Sequence, residues 1–122
     1  MRRSTIMGLL LLLPAGCAAP AVPASQRAVT AIELEYVSRF LTPVMAYSLL
    51  PLCPQPGNAA CRDPATASAL NDRQKRLHDT IVALRNFSDA SPAADATTLI
   101  AKARRELNAA EALVPAQTLA PR

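Results

Sequence analysis

The chain has 122 residues, which is enough for one small domain, and carries a net charge of +4 at pH 7. Aromatic residues make up only 3 % of it, and strand-forming residues never alternate over a useful stretch, so this Ala- and Leu-rich composition indicates helices. Without the two arginines of a removable N-terminal segment, 11 basic and 9 acidic side chains remain, an excess too small to predict nucleic-acid binding.

The N-terminal segment has the layout of a secretory signal peptide. Arg2 and Arg3 give it a positive start, an apolar run follows over residues 6–13, and small residues precede Cys17. The run is too short to span a bilayer, which needs about 20 apolar residues. We therefore expect residues 1–16 to be removed after export.

The last five residues of this segment, LPAGC, resemble the lipobox of bacterial lipoproteins. In that family the cysteine thiol receives a diacylglyceryl group, the signal is cut before the cysteine, and the new amine is acylated. Pro14 departs from the family pattern, in which Leu usually occupies that place. The resemblance implies a lipid on Cys17, and Ala18 in place of a retention Asp implies the outer membrane, facing the periplasm. The alternative is an ordinary cleaved signal with a chance cysteine.

A stalk and a long first helix follow. Residues 17–25 carry no charge, and their two prolines favour extended backbone, so they predict a short stalk. The first helix is predicted from Ser25 to Leu50, because apolar residues recur three or four apart. Pro43 removes one backbone donor inside it and crowds the carbonyl four residues back, so we expect a kink near residues 39–43 or two shorter helices.

Two further helices are predicted from one start signal, an N-cap residue followed by proline. Asp63-Pro64 starts the second helix, which runs to about Asn86. Ser91-Pro92 starts the third helix, which ends before Pro115. The link between them is then only about residues 87–90, so these two helices should be antiparallel neighbours.

Three amphipathic stripes with short links predict an all-α fold, a three-helix up-down-up bundle over residues 26–115. Residues 116–122 should form a flexible tail. Pro43 and the small, Ala-rich stripe of the third helix would leave apolar surface open to a partner helix. That partner is either another protein or a second copy of the chain.

Two cysteines remain if Cys17 is lipidated. Cys53 and Cys61 bracket the segment CPQPGNAAC, whose prolines and glycine must turn the chain and bring its ends together. In an oxidising periplasm the pair should form a disulfide, with free thiols and a metal site as the alternatives. His78 is the only histidine and supplies at most one more ligand, so neither a metal nor any other cofactor is predicted.

The stretch LPLCPQPGNAACRDPA, residues 50–65, resembles a pattern in small helical proteins of bacterial and prophage genomes. There a helix ends in Leu-Pro-x-Cys, a Pro-rich loop follows, and a second Cys leads into Asp-Pro at the next helix. Arg62 stands where Ser is expected. The resemblance supports the disulfide and the helices, and it gives no activity.

Six basic residues suggest a possible surface for anions. If the hairpin of the second and third helices turns near residue 89, position 75 lies level with position 103, and the two clusters form one basic band. Such a band would bind lipid phosphates, lipopolysaccharide or an acidic partner. The alternative is a solvent-exposed face whose positive charge is offset by acidic neighbours. The six residues are Arg73, Lys75, Arg76, Lys102, Arg104 and Arg105.

No motif in the chain indicates an enzyme. A Gly-rich phosphate loop, a G-x-S-x-G turn and an H-E-x-x-H pair are all absent, and the carboxylates are spread among basic residues. We predict a non-enzymatic envelope lipoprotein that acts as a structural or interaction module, with membrane lipid as its partner through Cys17 and no small-molecule substrate. The alternative is a prophage-derived lysis or exclusion component that works through protein contacts at the outer membrane.

Overall fold

A computed structural model describes residues 16, 19–54 and 61–116. The described residues form one long helix interrupted by a π turn and two further helices, in an all-α three-helix bundle, as predicted. Within these ranges no strand forms, and Leu52 and Arg62 make an isolated bridge. In chain order the elements are α1 (Ala24–Tyr36), the π turn (Val37–Leu41), α2 (Thr42–Ser48), α3 (Pro64–Ala90) and α4 (Thr97–Glu111).

The π turn lies where the sequence predicts a kink. The N–H of Thr42 donates to the carbonyl of Val37, five residues back, and the Thr42 hydroxyl donates to the same carbonyl at 2.9 Å. Pro43 follows directly and has no N–H to donate. The wider turn lets the helix continue past the proline and keeps both Phe40 and Tyr47 buried.

The core lies where α1, α3 and α4 meet. Each of these helices packs against the other two. The small side chains Ala96, Ala103 and Ala110 are buried in this core. The prediction that the Ala-rich stripe of the last helix leaves apolar surface open is therefore wrong, since that stripe lets α4 pack closely. The largest fully buried side chains are Phe40, Ile32, Leu70, Leu77, Leu84 and Leu107.

The start of α3 confirms its predicted signal. Asp63 has extended backbone angles, and its carboxylate accepts hydrogen bonds from the N–H of Thr66 at 2.8 Å and from its hydroxyl at 2.9 Å. Asp63 is thus the N-cap, with Pro64 as the first helical residue. The helix ends at Ala90, four residues beyond the predicted end.

The start of α4 differs from the prediction. Ser91 does not begin a helix, because its N–H donates to the carbonyl of Phe87 at 3.0 Å and completes the last turn of α3. Pro92 cannot donate the next bond, so the chain leaves the helix and turns through residues 91–96. Asp95 then accepts a hydrogen bond from the N–H of Thr97 at 2.9 Å, and α4 begins there.

Candidate functional site

The disulfide end of the bundle is held by several contacts. Cys53 and Cys61 form the predicted disulfide, with an S–S distance of 2.02 Å. Beside it, the N–H of Cys53 donates to the carbonyl of Arg62 at 3.1 Å, and the N–H of Arg62 donates to the carbonyl of Pro51 at 2.7 Å. The hydroxyl of Tyr47 accepts a hydrogen bond from the N–H of Asp63 at 2.8 Å, which joins α2 to the start of α3.

The predicted lipid site, Cys17, lies outside the described residues. So do residues 1–15 of the predicted signal peptide and residues 117–122 of the predicted tail. The helix α1 begins at Ala24, so the last two residues of the predicted stalk are helical. Among the helices described, none combines the length and the apolar character that crossing a membrane requires.

The register of α3 against α4 places the two predicted basic clusters at different levels along the hairpin. The Thr80 hydroxyl donates to the carboxylate of Glu106 at 2.7 Å, so these two positions are level. Position 103 then lies level with position 83 rather than with position 75, an offset of eight residues or about 12 Å along the helix. The prediction is wrong because the turn between the helices is six residues long and lies later in the chain than expected.

The basic residues of α3 also diverge around the helix. Arg73 and Arg76 line a cavity of about 340 Å³ together with Asp79 and Glu106. Lys75 is two residues from Arg73 and therefore lies about 200° away around the helix axis. The lining therefore combines these two arginines with two carboxylates, one of which, Glu106, also pairs with Lys102 of α4.

The basic residues of α4 are separated in the same way. Lys102 lies 3.8 Å from Glu106 in an i,i+4 ion pair on the side that faces α3. Arg104 and Arg105 are exposed. Arg105 follows Lys102 by three residues and lies beside it on the helix surface, whereas Arg104 lies about 200° away from Lys102 around the helix axis. The predicted set therefore divides: Lys75 and Arg104 are turned away from the side on which Arg73, Arg76 and Lys102 lie around Glu106.

Arg39 joins the π turn to α4. Its guanidinium donates to the carboxylate of Glu111 at 3.1 Å, to that of Glu35 at 3.0 Å and to the side-chain oxygen of Asn108 at 2.9 Å. These bonds, the one to Glu111 foremost, raise the pKa of Arg39 above its ordinary value. One cation and two carboxylates leave this cluster with a net charge of −1.

A second cluster joins α1 to α3. Arg85 donates to the carboxylate of Glu33 at 2.9 Å and lies 3.9 Å from that of Asp89. The hydrogen bonds to Glu33 raise the pKa of Arg85 above its ordinary value. This cluster also has a net charge of −1. The ion pairs of both clusters are partly exposed, and each cluster joins two helices. We therefore interpret both clusters as structural contacts.

The outward side of α1, the π turn and α2 is the feature that the sequence reasoning missed. Between residues 28 and 54 the charged side chains Glu33, Glu35 and Arg39 are each 36 % exposed and are held in ion pairs. Arg27, two turns before Leu34, is exposed at the start of this side. Leu34 is 67 % exposed, Met45 65 % and Leu49 85 %. The sequence does contain a signal for this surface: a second series of apolar residues runs along the same helix, next to the series that is buried in the core. We call this surface the neutral face; its apolar members are Leu34, Val37, Met45, Leu49 and Leu52.

Other candidate chemistry is sparse in the described ranges. His78 is exposed on α3. Residues 16, 19–54 and 61–116 contain no group of three or more His, Cys, Asp or Glu side chains placed to hold a metal ion. No protein-family model, curated protein or solved structure matches the chain.

Proposed function

We propose that this protein is a non-enzymatic lipoprotein of the bacterial envelope, whose helical bundle is an interaction module held at the membrane by a lipid on Cys17. The observation that carries the proposal is the N-terminal order of charge, apolar run, small residues and cysteine. By resemblance to the lipoproteins, Ala18 favours the outer membrane, with the bundle facing the periplasm.

A lipid on Cys17 accounts for how a bundle without a membrane-crossing helix among its described residues is retained at a membrane. Each buried methylene adds about 0.8 kcal/mol, so one acyl chain holds a protein marginally and several hold it firmly. The disulfide between Cys53 and Cys61 suits an oxidising compartment such as the periplasm.

The neutral face supports an interaction role. Soluble monomers rarely expose a long apolar surface, and such surfaces commonly mark contacts with proteins or membranes. The cavity beside Arg73 and Arg76 combines opposite charges, and the Thr80 hydroxyl that lines it donates to Glu106, which also pairs with Lys102. Binding through a face, rather than chemistry in a cleft, is the function that this arrangement favours.

Metabolic labelling with an alkyne fatty acid tests the anchor. Wild-type protein should carry the label, and Cys17→Ser should lose it, because the thioether and the processing that follows both need the sulfur. The Cys53→Ser/Cys61→Ser double variant is the matched control and should keep the label. An unlabelled wild-type protein, or a labelled Cys17→Ser variant, would contradict the proposal.

The second candidate is a prophage-derived lysis or exclusion component at the outer membrane. The Leu-Pro-x-Cys loop that leads into Asp-Pro is the observation that favours it. Expression of the full chain should then make cells lyse or resist infection, and Cys17→Ser should abolish that effect. Cells that grow and are infected normally would speak against this candidate.

A further inference from the structure

A cavity of about 230 Å³ lies between α2 and α3, at the disulfide end of the bundle. Tyr47 and Leu70 are buried and form its inner end, and the half-buried Val44 and Ala67 form its walls. An apolar cavity of about 150 Å³ is large enough to hold benzene. This cavity therefore has room for a six-membered ring that carries one small substituent.

Polar side chains occupy the outer part of this cavity. Ser48 and Asn71 are exposed, and Arg62 and Gln74 are half-buried. The Ser48 hydroxyl already donates to the carbonyl of Met45 at 2.7 Å. Among the described residues that line the cavity, Arg62 is the one charged residue. Apolar walls with a few polar groups are typical of sites for small molecules.

The guanidinium of Arg62 has no acidic partner in the part of the chain that the structure describes. Its Nε is buried and has no hydrogen-bond acceptor. The neighbouring carboxylate of Asp63 is engaged with Thr66 in the cap of α3. A buried donor without an acceptor costs free energy, so an anion bound beside Arg62 would remove that cost.

The backbone of Arg62 is held in place by several contacts. Cys61 precedes it and is bonded to Cys53. The N–H of Arg62 donates to the carbonyl of Pro51 at 2.7 Å, and its own carbonyl accepts from the N–H of Cys53 at 3.1 Å. Because the side chain starts from a fixed position, less order has to be imposed on it when a ligand binds.

One cation beside apolar walls favours a singly charged anion with an apolar body. A guanidinium matches a carboxylate through two parallel hydrogen bonds. Inorganic phosphate has no apolar surface to bury and would leave oxygen atoms desolvated without donors. None of the described lining residues is acidic, so no neighbouring charge in the lining repels a carboxylate.

We propose that the cavity between α2 and α3 binds a small organic carboxylate. The apolar body of the ligand packs against Tyr47 and Leu70, and its carboxylate accepts hydrogen bonds from Arg62. The proposal concerns binding alone and does not depend on a lipid at Cys17.

Calorimetric titration of the full chain in mild detergent with benzoate tests this site. Benzoate combines a ring of the required size with one carboxylate, so we expect saturable binding with a dissociation constant on the order of 1 mM or tighter. Benzamide has the same shape without the charge, and it should bind at least about 10-fold more weakly, as should inorganic phosphate. Absence of saturable benzoate binding, or equal binding of benzamide, would overturn the proposal.

Arg62→Gln tests the role of the cation. The substitution should raise the dissociation constant of benzoate at least about 10-fold, because it removes the charged donor. The matched control is Arg73→Gln, since Arg73 also has a buried Nε without an acceptor but lines a different cavity. That control should stay within about twofold of the wild type. Unchanged binding in Arg62→Gln, or an equal loss in both variants, would contradict the proposal.

Ala67→Leu tests the cavity without altering the cation. The larger side chain should occupy the space that the ring needs and weaken benzoate binding at least about 10-fold. Ala69→Leu, at an exposed position of the same helix, is the control and should bind as the wild type does. Circular dichroism confirms that each variant keeps its helices. Unchanged binding in Ala67→Leu would place benzoate elsewhere and refute the proposed site.

Discussion

Asp63 is the residue at which sequence, local structure and pH response connect most directly. Its carboxylate caps α3 by accepting from the backbone N–H and the hydroxyl of Thr66. These hydrogen bonds hold the pKa of Asp63 below its ordinary value. A carboxyl whose pKa falls on folding stabilises the protein above its unfolded pKa, about 3.9, and that stabilisation is lost as the pH falls through the folded value.

We therefore expect Asp63→Asn to flatten the loss of stability in acid. Asn caps helices about as well as Asp, so the variant should match the wild type near neutral pH. Below about pH 4 the wild type should lose more of its free energy of unfolding than the variant does. Urea unfolding followed by circular dichroism at several pH values measures both slopes.

The control for this prediction is Asp72→Asn, which removes a negative charge from the exposed surface of α3. Its acid slope should stay close to that of the wild type. If Asp63→Asn and the wild type lose stability in parallel as the pH falls, the capping contact does not contribute as described.

The sequence signal for a helix start was reliable only where no helix ran directly into it. Asp63-Pro64 and Ser91-Pro92 have the same form, yet only the first starts a helix. Ser91 follows directly on α3, and its N–H extends that helix, so the proline there ends one helix instead of starting another. Sequence alone does not show how far the preceding helix runs.

At the scale of elements, the disulfide stabilises the connection between α2 and α3. A cavity of about 230 Å³ separates α2 from α3 there, lined by Val44, Tyr47 and Leu70 among others. The disulfide and the hydrogen bond between Tyr47 and Asp63 close the connection beside it. A covalent link thus adds to the packing of the buried Tyr47, Cys61 and Leu70 at this end.

Removal of the disulfide should lower the free energy of unfolding by about 2–3 kcal/mol, because a closed loop of this length restricts the unfolded chain. Cys53→Ser/Cys61→Ser should keep the helical circular dichroism of the wild type and unfold at lower urea concentration. Reduced wild-type protein should match the variant, and reductant should not affect the variant itself. Equal stability of the oxidised wild type and the variant would contradict this role.

Helices were predicted better than the connections between them. Apolar spacing located all three helical segments, and Pro43 located the irregular turn. Proline chemistry does not distinguish a kink from a π turn, because that choice depends on how Phe40 and Tyr47 fit the core. The link before α4 was placed too early, and the register that followed from it was wrong.

At the scale of the whole molecule, the separation of charge is the main finding. Ion pairs with α3 and α4 hold Glu33 and Arg39 at the sides of the first helix, and Glu35 pairs with Arg39 there. Helix spacing places Glu35 beside Arg39, but the sequence does not show that Arg39 pairs with Glu111 or Glu33 with Arg85, because these partners lie more than 50 positions away in the chain. The candidate surface for binding therefore moved from a basic band to the neutral face.

Mass spectrometry of the mature protein, extracted from the membranes of the cells that make it, tests the central claim most directly. We expect a polypeptide whose first residue is Cys17, with a diacylglyceryl group on its sulfur and an acyl chain on its amine. A mature chain with a free Cys17 thiol, or one released into the medium without lipid, would contradict the account.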